Sequence, residues 1–209
     1  MKAPIPKDEI KRLNVLWQYD VLDTVPEDVF DDLANLAAHI CEAPVALISL
    51  VDEKRQWFKS RVGISVKETS RDVSFCAHAI LQDGLLTVSD ASKDPRFSDN
   101  PLVTGTQHIR FYAGMPLRSP DGYALGTLCV IDNIARKLRP EQKQALRLLA
   151  RHVETQLELR RHAKELMEAR KNGDRQNAEL ARARVEIAKL RGQIAASKTK
   201  ASTRTKSRK

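Results

Sequence analysis

The stretch VALISLVDEKRQWFKSRVG, Val45 to Gly63, decides the fold. VALISLV is a continuous apolar run, too short for a free helix and rich in β-branched side chains, which reads as a strand buried on both faces. The charged tetrad Asp52 to Arg55 reverses the chain, and QWFKSRVG follows as a second, antiparallel strand. A strand apolar on both sides belongs at the centre of a sheet, so its neighbours and covers must come from elsewhere in the chain.

Upstream, Pro44 closes a helix predicted from about Val25 to Glu42. Val29, Phe30, Leu33, Leu36, Ala37 and Ile40 give it one apolar face, while Thr24 and Glu27 have capping-box spacing with Pro26 in the first turn. Ile10, Leu13, Leu16 and Trp17 recur at helical spacing and predict a shorter amphipathic helix within residues 1–18. Downstream, Phe75 to Leu81 predicts a short helix and LLTVSD a third strand. DASKDPRFSDNPLVTG is turn-rich, Pro95 and Pro101 limit any helix to a turn or two, and a lid-like segment is the natural reading. IRFYAGMPLRS and YALGTLCVID flank Pro120-Asp121-Gly122, a hairpin signal in which Pro fixes φ and Gly supplies the unusual φ of the reversal. Pro140 opens a last helix with the stripe Leu146, Leu149, Val153 and Leu157. This order argues for an α+β fold: an antiparallel sheet, helices on one side, irregular connections on the other, and room for a cavity.

The chain has 209 residues and a net charge of +9, which is unevenly spread. Residues 161–209 carry 15 Lys and Arg against 5 Asp and Glu, a net of +10, so the first 160 residues sum to −1. That break in composition marks a domain boundary. Neither a secretory leader nor a run of 18 apolar residues is present, and a cytoplasmic location is expected. Cys41, Cys76 and Cys129 lie far apart with no Cys-x-x-Cys, which suits reduced, buried thiols.

YDVLDTVPEDVFDDLANLAAHI, ISLVDEKRQWFKSRVG, DVSFCAHAIL, VSDASKDPRFSDNPLV, IRFYAGMPL and LGTLCVID together resemble a bacterial GAF domain over about Tyr19 to Arg161. The resemblance implies a GAF-like, PAS-related antiparallel sheet of five to six strands. It also implies helices packed on one face, a pocket beneath the connecting segments on the other, and a long C-terminal helix. GAF domains of this subtype commonly precede histidine kinase, diguanylate cyclase or other output domains. Only about fifty residues follow the matched region here, too few for an output enzyme, and none is expected in them.

SFCAHAI, Ser74 to Ile80, places a thiol and an imidazole two positions apart. As a metal site, Cys76 and His78 would need further ligands from His39, His108, Cys129 or the aspartates, and no second clustered pair exists. As a nucleophile, Cys76 would need a neighbouring base, though the helix start near Ser74 offers partial help. Among GAF relatives, free methionine sulfoxide reductases use a set of pocket cysteines that this chain does not obviously reproduce. Bilin-binding members often attach the chromophore at a Cys directly followed by His, and here Ala77 intervenes. The favoured reading makes Cys76 a small hydrophobe and His78 a hydrogen-bonded wall residue. Asp90, Asp94, Arg96, Asp99 and Asn100 suit an internal polar network in which Arg96 or Arg110 pairs with Asp90 or Asp94; alternatively, Arg110 reaches an anionic ligand. Phe97, Phe111 and Tyr112 sit where a GAF pocket would be, and a purine or another flat molecule would suit such walls. The expected ligand-binding set is therefore Phe75, Cys76, His78, Asp90, Phe97, Arg110, Phe111, Tyr112 and Cys129, with no cofactor, no metal and no catalytic residue.

Past Lys171 to Asp174, Leu180, Ile187 and Ile194 repeat every seven residues with Ala183 and Leu190 at the complementary seam, as a two-stranded coiled coil requires. Asn172, Gly173 and Asp174 could instead kink this segment or turn it into a helical hairpin. The expected organisation is an N-terminal helix (1–18), a GAF domain (19–161), a helical extension (162–196) and a basic disordered tail (197–209) that could contact nucleic acid or anionic lipid electrostatically. The function expected is that of a non-enzymatic sensor. It binds an unknown small ligand, dimerises, and signals through its C-terminal helix to a separate output protein such as a histidine kinase or diguanylate cyclase. The rival readings are a thiol-dependent reductase of the free methionine sulfoxide type and a basic-tailed dimeric adaptor.

Overall fold

The computed structural model describes residues 2–206, with side chains defined for 2–189, 191 and 192. The chain divides into two units, Met1–Arg161 and His162–Lys209. The first holds a six-stranded antiparallel sheet of order β3-β2-β1-β6-β5-β4. Its strands are β1 (Val45–Val51), β2 (Arg55–Val62), β3 (Glu68–Ser70), β4 (Leu86–Val88), β5 (Phe111–Arg118) and β6 (Ala124–Asp132). β1, the run from which the sequence argument began, lies between β2 and β6 and is buried along nearly its whole length. Its alternation divides the interior. Ala46, Ile48 and Leu50 face a layer built from α1 (Glu9–Gln18), α2 (Asp28–Cys41) and the start of α5 (Pro140–Lys206), meeting Phe30, Ala34, Leu146 and Val153. Leu47 and Val51 face the opposite layer, formed by α3 (Phe75–Ala79), α4 (Pro101–Thr104) and irregular chain. Each fully buried Leu or Ile of this kind contributes about 1.5–3 kcal/mol.

Several local expectations meet a stronger tertiary interaction. The capping box does not form: α2 has Glu27 as its N-cap, with no side-chain cap bond. Thr24 Oγ1 donates instead to Val21 O. The Glu27 carboxylate is drawn to Lys59 (2.6 Å) and Arg160 (2.9 Å). Lys59 has no exposed side-chain area, and its ammonium group donates to Thr24 Oγ1, Val25 O and Glu27, using all three of its donors. In α1 the apolar stripe is rotated: Ile10 and Trp17 are exposed, and Arg12 is buried with Leu13 and Leu16. Arg12 reaches the sheet, donating to Val51 O (2.7 Å) and Ala124 O (3.1 Å), while Glu9 bridges Arg12 and Arg71. The hairpin at Pro120-Asp121-Gly122 joins β5 to β6, with Gly122 at φ +85°.

In the second unit the helix α5 runs on without interruption through Gly173, whose cost in a helix interior is about 1 kcal/mol, too small to stop a long helix by itself. The backbone stays helical as far as Lys206, across most of the segment expected to lack structure. No Pro or Gly lies between Gln193 and Lys209, and Ala, Lys and Arg are good helix formers. Residues 207–209 of the expected tail, and the side chains of Leu190 and Ile194 in the heptad seam, lie outside the described residues. Leu180 and Ile187 are exposed in the single chain.

Candidate functional site

A cavity of about 350 Å3 opens on the face of the sheet opposite the helical layer. Its walls come from five parts of the chain: the start of β1, the middle of β2, the segment from Gly63 to Thr69, the α4 region, and the end of β6. Val45, Leu47, Phe58, Leu102, Ile109 and Ile131 make most of the surface apolar. Gly63 (φ +78°) lets the end of β2 pass close to β1, since a Cβ there would sit 2.0 Å from Pro44 O. Polar groups are few. Gln56 is buried and accepts a hydrogen bond from Ser74 Oγ, and Thr69 Oγ1 is buried with no hydrogen-bond partner. Asp132 is held by Arg136 (2.8 Å), whose guanidinium also donates to Cys41 O and Glu42 O (both 2.6 Å). Among the described residues, no Lys or Arg lines the cavity.

The nine residues expected to bind ligand fall in four places, and none lines this cavity. Phe75, His78, Phe97 and Tyr112 pack on one another. The rings of Phe75 and Phe97 stack at 4.1 Å, Tyr112 lies 5.3 Å from Phe75, and His78 meets Phe97 edge-on at 4.7 Å. All four are buried and contiguous with the cavity-wall residues Leu47, Phe58 and Ile109, so these aromatics fill space behind the wall. Phe111 points to the other side of the sheet, among the helices, with the Arg136 guanidinium 5.6 Å from its ring. Asp90 and Arg110 stabilise loops: Asp90 accepts from Ser92 and pairs with Lys93, and Arg110 donates to Val103 O and Ile109 O. Of the expected Asp–Arg pairs, Asp94 with Arg96 forms, bidentate at 2.9 and 2.6 Å. The strand alternation that puts Val45 and Leu47 on one face was the available signal for the cavity wall. Gln56, Thr69 and Gln107 carried none.

Cys76 and Cys129, 53 residues apart in sequence, meet in the interior with their sulfurs 3.8 Å apart. Tyr112 Oη donates toward Cys76 Sγ at 3.5 Å, in space that exists because residue 114 is glycine: a Cβ there would lie 2.1 Å from the phenol oxygen. Ser49 and Thr127 complete the cluster from β1 and β6. Their hydroxyls are buried and make no hydrogen bond. Burial opposes ionisation of Cys76, but Cys129, Thr127, Tyr112 and Ser49 all offer donors to a thiolate there. Together they draw Cys76 below the ordinary thiol range, while the Cys76 sulfur beside it and burial hold Cys129 well above that range. Cys41, alone among the helices, is pushed up to about 11 by burial. Among the described residues, no group of three or more His, Cys, Asp or Glu is placed to hold a metal ion.

A layered α+β domain with a six-stranded antiparallel sheet, helices on one face and a cavity on the other has the architecture of a sensory module. The chain belongs to the GAF domain family, whose model matches residues 25–157. Over 143 residues it is 43% identical to a cyclic di-GMP phosphodiesterase of Pseudomonas aeruginosa, a match that covers 68% of this chain and 24% of that protein. The GAF domain of a phosphoenolpyruvate-protein phosphotransferase from Coxiella burnetii superposes with a TM-score of 0.54 at 15% identity, covering 75% of this chain and 96% of that one. The free methionine-R-sulfoxide reductase of Neisseria meningitidis does so with a TM-score of 0.52 at 21% identity, covering 78% and 98%. Both share the fold. The expectation of a protein outside enzymology is corrected by the Pseudomonas relative, which is named as an enzyme and of whose length the matching segment is about a quarter. Among the described residues, no helix is long and apolar enough to cross a membrane.

Proposed function

We propose that this GAF domain is the signal-receiving part of a system that turns over cyclic di-GMP, and that the cavity beside β1 and β2 receives the signal. The cavity is the single observation that carries the reading. At about 350 Å3 it falls within the range of small-ligand sites, and it is apolar with a few convergent polar groups, among them the unpartnered Thr69 hydroxyl and Gln56. The kinship with a cyclic di-GMP phosphodiesterase supports the pathway. The lining argues that cyclic di-GMP is not the occupant, because a doubly anionic phosphodiester calls for Arg or Lys and none is present among the described lining residues. A flat, uncharged metabolite fits better. The expected ligand-binding residues Phe75, His78, Phe97 and Tyr112 then act as the packed support behind the wall. The occupant biases a two-state equilibrium only by its difference in affinity for the two states. The exposed heptad residues Leu180 and Ile187 provide a seam for a second copy through which that bias is read by the output protein.

The test is native mass spectrometry of the freshly purified protein, followed by thermal melts with uncharged heterocycles and with cyclic di-GMP. A ligand at a hundred times its Kd stabilises by about 2.7 kcal/mol, which for a domain of this size raises Tm by roughly 5–10 °C. We expect such a shift with an uncharged ligand, none with cyclic di-GMP, and its loss in Val66→Trp, which closes the cavity from its rim. No bound molecule and no shift with any uncharged candidate, or a shift that persists in Val66→Trp, rejects the cavity as the receiver.

A further inference from the structure

The sulfur cluster calls for an explanation that packing does not supply. A filler would be better served by Val or Ala than by a thiol whose neighbours are three hydroxyls, two of them buried without a hydrogen-bond partner. The arrangement suits an anionic sulfur at Cys76, which could accept from Ser49, Thr127 and Tyr112 together. A second thiol waits at 3.8 Å. The cluster also lies close to open space: Cys129 is the register partner of Leu47 across β1 and β6, both side chains belong to the same buried layer, and Leu47 lines the cavity. Residues paired in this way have Cβ atoms about 4.5–5.5 Å apart, so one side chain separates the sulfurs from a space that admits small molecules.

We propose that Cys76 and Cys129 form a hydroperoxide-sensitive dithiol that closes to an intramolecular disulfide. The Cys76 thiolate attacks one peroxide oxygen. An S–O bond forms, the O–O bond breaks, and the departing alkoxide or hydroxide takes up the proton released by the thiol, leaving Cys76 as a sulfenic acid. The Cys129 sulfur then attacks Cys76 Sγ. The S–S bond forms as the S–OH bond breaks, and hydroxide leaves with the Cys129 proton as water. Each sulfur has given up one electron and the peroxide has gained two; a dithiol reductant restores the pair by thiol–disulfide exchange. The bond ties α3 to β6 directly behind the cavity wall, so oxidation state and cavity occupancy act on the same layer. Cys41 has neither a partner thiol nor donors and stays reduced. This inference is independent of which ligand the cavity holds.

The experiment treats the reduced full-length protein with hydrogen peroxide, alkylates remaining thiols in denaturant and maps the peptides by mass spectrometry. The expected result is a loss of two hydrogen atoms per chain, a linked Cys76–Cys129 peptide, full alkylation of Cys41, and reversal by dithiothreitol. In Cys129→Ser, Cys76 halts at the sulfenic acid and is captured by dimedone; in Cys76→Ser, no intramolecular disulfide forms. A link that includes Cys41, over-oxidation of Cys76 without a link, or three alkylatable thiols after an exposure that fully oxidises glutathione would overturn the proposal. The wild-type map decides the matter even where a variant fails to fold.

Discussion

Replacing Thr127 by Val exchanges a buried hydroxyl for a methyl group of nearly the same shape, beside Cys76. While Cys76 is a neutral thiol that hydroxyl is unsatisfied, which costs about 1–3 kcal/mol. Thr127→Val removes the cost, so at acidic pH the variant should be as stable as the parent or more stable by about 1 kcal/mol. Once Cys76 ionises the balance reverses, because a hydrogen bond to a charged group is worth about 1.5–3 kcal/mol and the variant lacks it. At 1.36 kcal/mol per unit, the loss raises the Cys76 pKa by about 1–2. The sign follows from linkage. Cys76 ionises below its unfolded value, so its contribution to stability is fully present above about pH 8.5 and fades as pH falls through the folded value; in the variant that contribution shrinks. Urea melts at a series of pH values, with thiolate absorbance titrated in parallel, measure both effects. A variant less stable than the parent at about pH 5, or one whose thiolate titration coincides with the parent's, refutes the assignment of Thr127 as a donor to an anionic sulfur.

Burial pushes the Glu9 carboxyl up, but its bonds to Arg12 and Arg71 prevail and hold it below the ordinary carboxylate value. Its contribution is therefore present above about pH 4.5 and is lost as pH falls through the lower folded value. Glu9→Gln should cost about 2–3 kcal/mol at neutral pH and progressively less in acid, and a cost independent of pH in urea melts would contradict this. Gly114→Ala forces a methyl group against the buried Tyr112 ring, with the phenol oxygen at 2.1 Å and Cζ at 2.6 Å. It should cost about 1–3 kcal/mol, much of it recovered by adding Tyr112→Leu, and a strictly additive double mutant would show that the two residues do not share the space.

The parts of the molecule that were legible in advance are those written in short-range pattern. VALISLV reads as a central strand because both of its faces are apolar, and PDG reads as a turn because Gly122 can adopt a positive φ. β3 was not foreseen: Glu68, Thr69 and Ser70 carry no apolar alternation and pair only through β2. The rotation of α1 was also hidden, since nothing local announces that Arg12 will find carbonyls on β1 and β6 and displace Ile10 from the interior. The site suffered most. Aromatic side chains near an expected pocket are as well suited to filling it as to lining it, and Phe75 stacks on Phe97 with Tyr112 tilted against it. The cavity takes its walls from residues as far apart as Pro44 and Asn133, so only the sheet order brings them together. The approach of Cys76 to Cys129 likewise follows from α3 packing over β6, a contact that no spacing encodes.

The clasp made by Arg136 on Asp132, Cys41 and Glu42 leaves the cavity electrically quiet, since the carboxylate at its edge is already answered from outside. An occupant held by shape and a few neutral hydrogen bonds gains little from free ions and loses little to them. Its retention should therefore be indifferent to ionic strength, and high-salt chromatography should carry it through purification intact. Warming or a mild organic solvent, which weaken apolar contact itself, would be the means of stripping it.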